Sequence, residues 1–157
     1  MKTMIEWKEE TIIERDIETV WSLFSDKNIK KIMPKVEEHT IVEKSETEVG
    51  AKHQQSYREG KRVETYIVET LAYEDTPDKK LKTVRFVIGK AFEVNFSFTL
   101  EKVDENNTKF IYSGHNKGIN FVGRAMMKLA NKKGSQKVVH EFMERVNQEA
   151  LNNHTSH

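Results

Sequence analysis

Residues 92–100 constrain the fold most strongly, because apolar and polar side chains alternate there without a break. The apolar positions are Phe92, Val94, Phe96, Phe98 and Leu100. Successive side chains of a strand point to opposite faces, so the stretch predicts a strand with one buried and one wet face. A sheet that faces water on one side is typically antiparallel. The sequence therefore predicts an antiparallel meander rather than a series of βαβ units.

Seven stretches in all have the pattern of strands, and the turns between them are short. The predicted strands are 4–14, 36–44, 48–58, 62–73, 81–88, 91–103 and 108–116. The connecting segments contain Gly, Pro, Asn, Asp and Ser, which favour turns. Short connections make strands that are neighbours in sequence neighbours in the sheet.

Two short helices are predicted between the first two strands. Asp16 stands at an N-cap position, and apolar residues follow it at helical spacing as far as Phe24. A second short helix, which includes Ile29 and Ile32, must end before Pro34 because proline disfavours helix at the preceding residue.

A long helix is predicted from Asn120 to about Leu151, with a joint in its middle. The apolar stripe of 121–129 is displaced by about 100° from that of 138–150 on a helical wheel. Gly134 and the serine after it lie between the two stripes, and a Gly/Ser pair is an accepted cause of a kink. We therefore expect a kink, a bulge or a short break within 131–136.

These elements predict an α+β fold in which a curved, seven-stranded antiparallel sheet grips the long C-terminal helix. The strands cannot cover their own apolar face, and that helix is the only large apolar one available. The 157 residues suit one domain over 1–151, followed by a frayed polar tail at 152–157. Such a chain buries about 70% of its surface on folding, which is enough for a core.

Composition excludes several classes of function. The chain has no cysteine, which rules out disulfides, thiolate metal sites and a cysteine nucleophile. With 26 basic and 25 acidic residues, the chain has almost no net charge that would attract it to nucleic acid or anionic lipid, although residues 117–145 are locally basic. Neither a signal region nor an apolar run of membrane-spanning length is present, so we expect a cytoplasmic protein without stable membrane insertion.

The order of elements, together with four segments, resembles the START-like (SRPBCC) superfamily of polyketide cyclases, lipid-transfer domains and the major birch pollen allergen. The matching segments are 16–26, 32–36, 49–52 and 121–124. The resemblance covers residues 3–150. It implies a deep, mostly apolar cavity between sheet and long helix, used for lipids, hormones or aromatic polyketides. It does not imply one activity, because fold and function separate in this superfamily.

The strand at 48–58 has no apolar face, which leaves two interpretations open. It is either an exposed edge region or part of a polar cavity wall. On the second interpretation, polar side chains from the strands and apolar ones from the strands and the helix would contact a ligand. The candidate ligand-binding residues are His53, Gln55, Tyr57, Arg85, Phe96, Phe98, Tyr112, Met126 and Ala130.

No motif predicts a catalytic, metal or cofactor site. A Gly-x-Ser-x-Gly elbow is absent, and the glycines at 118 and 123 lack the Lys-Ser/Thr of a phosphate loop. His140 and Glu144 lie one helical turn apart but lack a third ligand. We therefore expect no metal and no cofactor.

Three functions remain, and the first is favoured. It is a binding or carrier protein for a small hydrophobic or amphipathic molecule, with no nucleic-acid partner. The second is an aromatase/cyclase-like enzyme, whose acid or base would come from Tyr57, Tyr112, Arg85 or His53. The third is a protein-binding module similar to the activator of the ATP-driven heat-shock chaperone.

Overall fold

The computed structural model describes residues 4–129 and 132–152. The strands are β1 Met4–Ile13, β2 Val36–Glu43, β3 Lys52–Glu59, β4 Arg62–Asp75, β5 Lys79–Ile88, β6 Phe92–Asp104 and β7 Asn107–Gly118. The helices are α1 Ile17–Ser22, α2 Ile29–Ile32, α3 Phe121–Leu129 and α4 Lys132–Asn152. The strands form one antiparallel sheet in the order β1-β7-β6-β5-β4-β3-β2. The predicted α+β class, with its seven-stranded sheet and two short helices, is confirmed.

The alternation in β6 sets the inner face of the sheet. Phe96, Phe98 and Leu100 are buried, while Glu93 on the other face is partly exposed. Phe96 lies opposite Gly114 of β7, where a side-chain Cβ would come within 2.7 Å of the Phe96 Cβ. The predicted register of this strand is confirmed, and a larger residue at 114 would clash with it.

The segment between β1 and β2 folds as the sequence predicts. The Asp16 carboxylate accepts a hydrogen bond of 3.1 Å from the Thr19 backbone N–H and so caps α1. Val20 of α1 is fully buried. The second helix ends at Ile32, two residues before Pro34.

The last helix, α4, packs on the inner face of the sheet. The Phe142 ring centroid lies 5.7 Å from that of Phe98 and 4.8 Å from that of Tyr112. Near the C-terminal end, the Arg15 side chain donates a 3.0 Å hydrogen bond to the carbonyl of Ala150. This end of the helix is therefore fixed to the segment that follows β1.

The predicted helix 120–151 is two helices, α3 and α4, and the described part of the predicted joint, 132–136, lies within α4, so no break falls there. Residues 130 and 131, between α3 and α4, lie outside the described part of the chain. The shift in the apolar stripe instead leaves much of the α3 stripe facing solvent. Phe121 is 82% exposed and Leu129 is 85% exposed. Of the predicted tail, residue 152 ends α4 and 153–157 lie outside the described residues.

Candidate functional site

The polar strand β3 is a buried wall and not an edge. It pairs with β2 on one side and β4 on the other, and β2 forms the edge of the sheet. His53 and Gln55 are only 4% and 6% exposed. Of the two interpretations of 48–58, the exposed edge was therefore wrong.

A line of hydrogen-bonded side chains crosses three strands. Gln55 lies opposite His39 of β2 and opposite Tyr66 of β4, so the three side chains are neighbours on one face. The Gln55 side-chain oxygen lies 2.8 Å from Nδ1 of His39. Its amide nitrogen donates a 2.8 Å hydrogen bond to the Tyr66 hydroxyl. Buried polar groups need such partners, and this line supplies them within the protein.

Asp26 joins two histidines at the end of this line. Its Oδ1 lies 2.8 Å from Nε2 of His39 and 3.0 Å from Nε2 of His53. The two imidazole rings stack with centroids 4.7 Å apart. Hydrogen bonds from His39 and then His53 hold the pKa of the Asp26 carboxyl far below its ordinary value. Asp26 is therefore a carboxylate at neutral pH.

A lysine on the inner face of the sheet lies beside the same cluster. Lys82 of β5 shares the inner face with Val84 and Phe86, and burial lowers its pKa. The charges of Asp26 and Glu48 act in the opposite direction and favour the ammonium.

Beside the cluster lies a small inner cavity of about 30 Å³. His39, His53, Gln55 and Lys82 form its polar side, and an aromatic group that includes Phe98 forms its apolar side. The volume accommodates a few water molecules at most.

A larger cleft opens between α4 and the junction of α2 with β2. Its volume is about 410 Å³. The lining residues are Ile32, Met33, Pro34, Lys35, Tyr57, Tyr112, Val138, Glu141, Phe142 and Arg145. The cleft thus combines an apolar wall with two phenols and three charged groups.

Tyr112 is the most strongly perturbed titratable group of the cleft. Burial raises the pKa of its hydroxyl, and the neighbouring Tyr57 raises it further. Its ring packs against Trp7, at 5.5 Å, and against Phe142. At neutral pH the group is a protonated phenol, so it serves as a hydrogen-bond donor and not as a base.

The structure divides six of the nine candidate residues between the two spaces. His53, Gln55, Phe96 and Phe98 line the inner cavity. Tyr57 and Tyr112 line the cleft. Their contact with a ligand stays a prediction.

Of the other three candidates, two line neither space and the third lies outside the described residues. Arg85 lies on the outer face of β5, opposite in alternation to Val84, and pairs with Glu93 at 2.9 Å. Met126 is 54% exposed on α3 and lines neither space, because the buried methionine of that helix is Met127. Ala130 lies outside the described residues.

Sequence reasoning missed Asp26, His39, Lys82 and Arg145. Lys82 carried a usable signal, since it alternates with two apolar residues on the same face of its strand. The two histidines are fourteen positions apart on different strands, and only the β2–β3 register brings them together. Asp26 reaches them from the segment after α1, which no local spacing reveals.

Residues 4–152 match the family described as "Polyketide cyclase / dehydrase and lipid transport". The chain belongs to this family. The match spans every helix and strand of the fold, and the resemblance drawn from the sequence is confirmed. No protein with a curated description matches the chain significantly.

Solved structures with the same fold include enzymes and plant proteins of low sequence identity. An aromatase/cyclase from a Streptomyces species is 12% identical with a TM-score of 0.73, over 98% of this chain and 97% of that one. Norcoclaurine synthase from Thalictrum flavum is 13% identical with a TM-score of 0.65, over 98% and 90%. A major latex-like protein from Panax ginseng is 15% identical with a TM-score of 0.66, over 96% and 99%. At these identities the similarity shows the fold alone.

The helices are also short or polar by the standards of membrane spans. Within residues 4–129 and 132–152, none is both long and apolar enough to cross a bilayer.

Proposed function

We propose that the protein is a cytoplasmic binding or carrier protein for a small amphipathic molecule, held in the cleft beside α4. The size and lining of the cleft carry the proposal. Its volume of about 410 Å³ falls within the roughly 300–1,000 Å³ of small-molecule sites. Val138 and Phe142 supply apolar contact area, while Tyr57 and Tyr112 supply polar contacts that orient a ligand.

The ligand belongs in the cleft and not in the inner cavity, because the latter is too small. Aromatic rings occupy the space that the family resemblance assigns to a deep cavity. The Phe98 ring centroid lies 4.5 Å from that of Phe24 and 5.0 Å from that of Phe96. What remains, about 30 Å³, is room for water.

The charges around the cleft favour a ligand with an acidic or phenolic group. Lys35 and Arg145 line it together with a single carboxylate, Glu141. Among the described residues, the Arg145 guanidinium makes one long contact of 3.4 Å to the carbonyl of Ile32, and an arginine has five N–H donors. An aromatic body carrying a carboxylate or a phenol would match both the apolar wall and this positive side.

Melting temperatures with a panel of ligands test the proposal. Fatty acids, bile-like steroids and flavonoid-type aromatics are added in turn, and at least one class should raise the melting temperature by several degrees. Val138→Trp fills the cleft and should abolish the shift. Lys137→Trp adds the same side chain at the neighbouring, exposed position and should leave it intact. A panel without any shift, or a shift that Val138→Trp does not reduce, contradicts the proposal.

An aromatase/cyclase-like activity is the second candidate, and Tyr112 is the observation that favours it. A buried phenol that stays protonated at neutral pH can donate a hydrogen bond to a substrate carbonyl and stabilise negative charge that develops on its oxygen. Tyr112→Phe should then abolish turnover of an aromatic polyketide while the melting shift with the same compound persists. Equal turnover by wild type and Tyr112→Phe would exclude a catalytic role for this hydroxyl.

A further inference from the structure

Three potential metal ligands converge beside the inner cavity. The ligand-capable atoms of Asp26, His39 and His53 all lie within 4.8 Å of one another. Both imidazoles present Nε2 to the same carboxylate, at 2.8 Å and 3.0 Å from Oδ1. These separations are close to those between neighbouring ligands of one ion, since Zn–N and Zn–O bonds are about 2.0–2.2 Å long.

The hydrogen bond on the far side of His39 fixes which nitrogen can be a ligand. The Gln55 side-chain oxygen lies 2.8 Å from Nδ1, so this nitrogen is already engaged within the protein. The other ring nitrogen, Nε2, faces Oδ1 of Asp26 at 2.8 Å and is placed to bind an ion together with that carboxylate.

The surroundings of His39 are those of a metal-bound imidazole. A ligating histidine nearly always donates its other N–H to a fixed acceptor. Here that acceptor is Gln55, and Tyr66 fixes the Gln55 amide in turn.

From these contacts we propose that Asp26, His39 and His53 bind a divalent transition-metal ion such as Zn²⁺. Two imidazoles and one carboxylate are a ligand set typical of zinc and of other ions of this group. Three protein ligands leave a fourth position open, and the 30 Å³ cavity lined by both histidines has room for a water molecule there. The Asp26 side chain is 39% exposed, so an ion can reach the site from solvent.

Lys82 opposes cation binding and provides a discriminating variant. It lines the same cavity, and its charge acts on Asp26. The substitution Lys82→Met removes a positive charge that repels the ion, and it leaves all three proposed ligands in place. The variant should therefore bind the ion more tightly than wild type.

Titration of the full chain with Zn²⁺ and Co²⁺ tests the proposal, with His154 and His157 replaced by alanine in every sample so that imidazoles of the tail do not bind. One ion should bind per chain. Asp26→Asn, His39→Ala and His53→Ala should each weaken binding by tenfold or more, and Gln55→Leu by about tenfold or more. The matched control is His140→Ala, a surface histidine outside the cluster, which should bind as the parent does.

A second measurement needs no substitution at the site, so it tests the proposal even if a ligand variant fails to fold. In NMR spectra of the parent chain, one equivalent of Zn²⁺ should shift the imidazole signals of His39 and His53 and leave those of His115 and His140 in place. The absence of saturable binding, binding that the three ligand variants do not weaken, or shifts confined to the other histidines would each overturn the proposal.

Discussion

Phe98 links three parts of the core through its ring. Its ring centroid lies 4.5 Å from that of Phe24 after α1, 5.6 Å from that of Tyr112 in β7 and 5.7 Å from that of Phe142 in α4. Because the inner cavity beside it is small, nearly all of this ring has packing partners. Its removal therefore loses both transfer free energy and packing.

Phe98→Ala should lower the free energy of unfolding by about 3–5 kcal/mol. Urea denaturation followed by circular dichroism measures this loss. Phe121→Ala is the control, because the same truncation at a residue that is 82% exposed should change stability by less than about 0.5 kcal/mol. Similar losses in the two variants would mean that the β6 face is not packed as described.

Among the elements, α1 depends on the charge of its N-cap. Partial burial pushes the pKa of Asp16 upward, but hydrogen bonds from Thr19 and the charge of Arg15 outweigh it and hold the pKa below its ordinary value. A carboxyl with a lowered folded-state pKa stabilises the fold above its unfolded pKa of about 3.9. That contribution is lost as the pH falls through the folded-state pKa.

Asp16→Asn should therefore remove one source of acid sensitivity while keeping a side chain that caps helices. Unfolding by urea at a series of pH values between about 7 and 2 compares the two proteins. Wild type should lose stability relative to Asp16→Asn as the pH falls through the acidic range. Asp16→Ala supplies the reference without a cap, about 0.5–2 kcal/mol less stable at neutral pH. If the stability of wild type instead rose relative to that of Asp16→Asn as the pH falls, the result would contradict the described cap.

Helix α4 includes Gly134, which makes that residue a test of helical continuity. Gly134 is exposed and lies in the first turn of the helix. Gly134→Ala should raise the free energy of unfolding by up to about 1 kcal/mol, because alanine loses less backbone entropy in a helix. Gly123→Ala is the contrasting variant and should destabilise, since its Cβ would lie 2.0 Å from the Ala91 carbonyl oxygen. A destabilised Gly134→Ala would instead indicate a joint in the helix at this position.

Most elements could be predicted because their signals are local. The alternation in β6, the cap at Asp16 and the stop at Pro34 each depend on a few neighbouring residues, and the structure has all three. The joint in the last helix was harder to predict because a shifted apolar stripe has two solutions. The helix can bend to bury both halves, or one half can stay exposed, as Phe121 does.

The candidate site was harder to predict because it depends on pairing between strands. A polar strand such as β3 is consistent with an edge or with a buried wall, and only the position of β2 decides. Arg85 and Met126 were predicted to face the cavity. The buried residue is the one beside each of them, Val84 next to Arg85 and Met127 next to Met126. A displacement by one position changes the face in a strand and in a helix.

At the scale of the whole molecule, the two proposals concern two separate spaces of the fold. The inner one is small and polar on one side, where Asp26, His39 and His53 meet. The outer one is the cleft of about 410 Å³ beside α4. The proposed binding function requires only the outer space, so loss of the proposed metal site should leave ligand binding in place.

Native mass spectrometry of freshly purified protein tests the central claim, ligand binding in the cleft, most directly. The wild type should carry a co-purified small molecule, or take up one from the ligand panel, with one ligand per chain. Val138→Trp should lose this adduct, and Lys137→Trp should keep it. A wild type without any adduct throughout the panel, or an adduct that Val138→Trp retains in full, would contradict the claim.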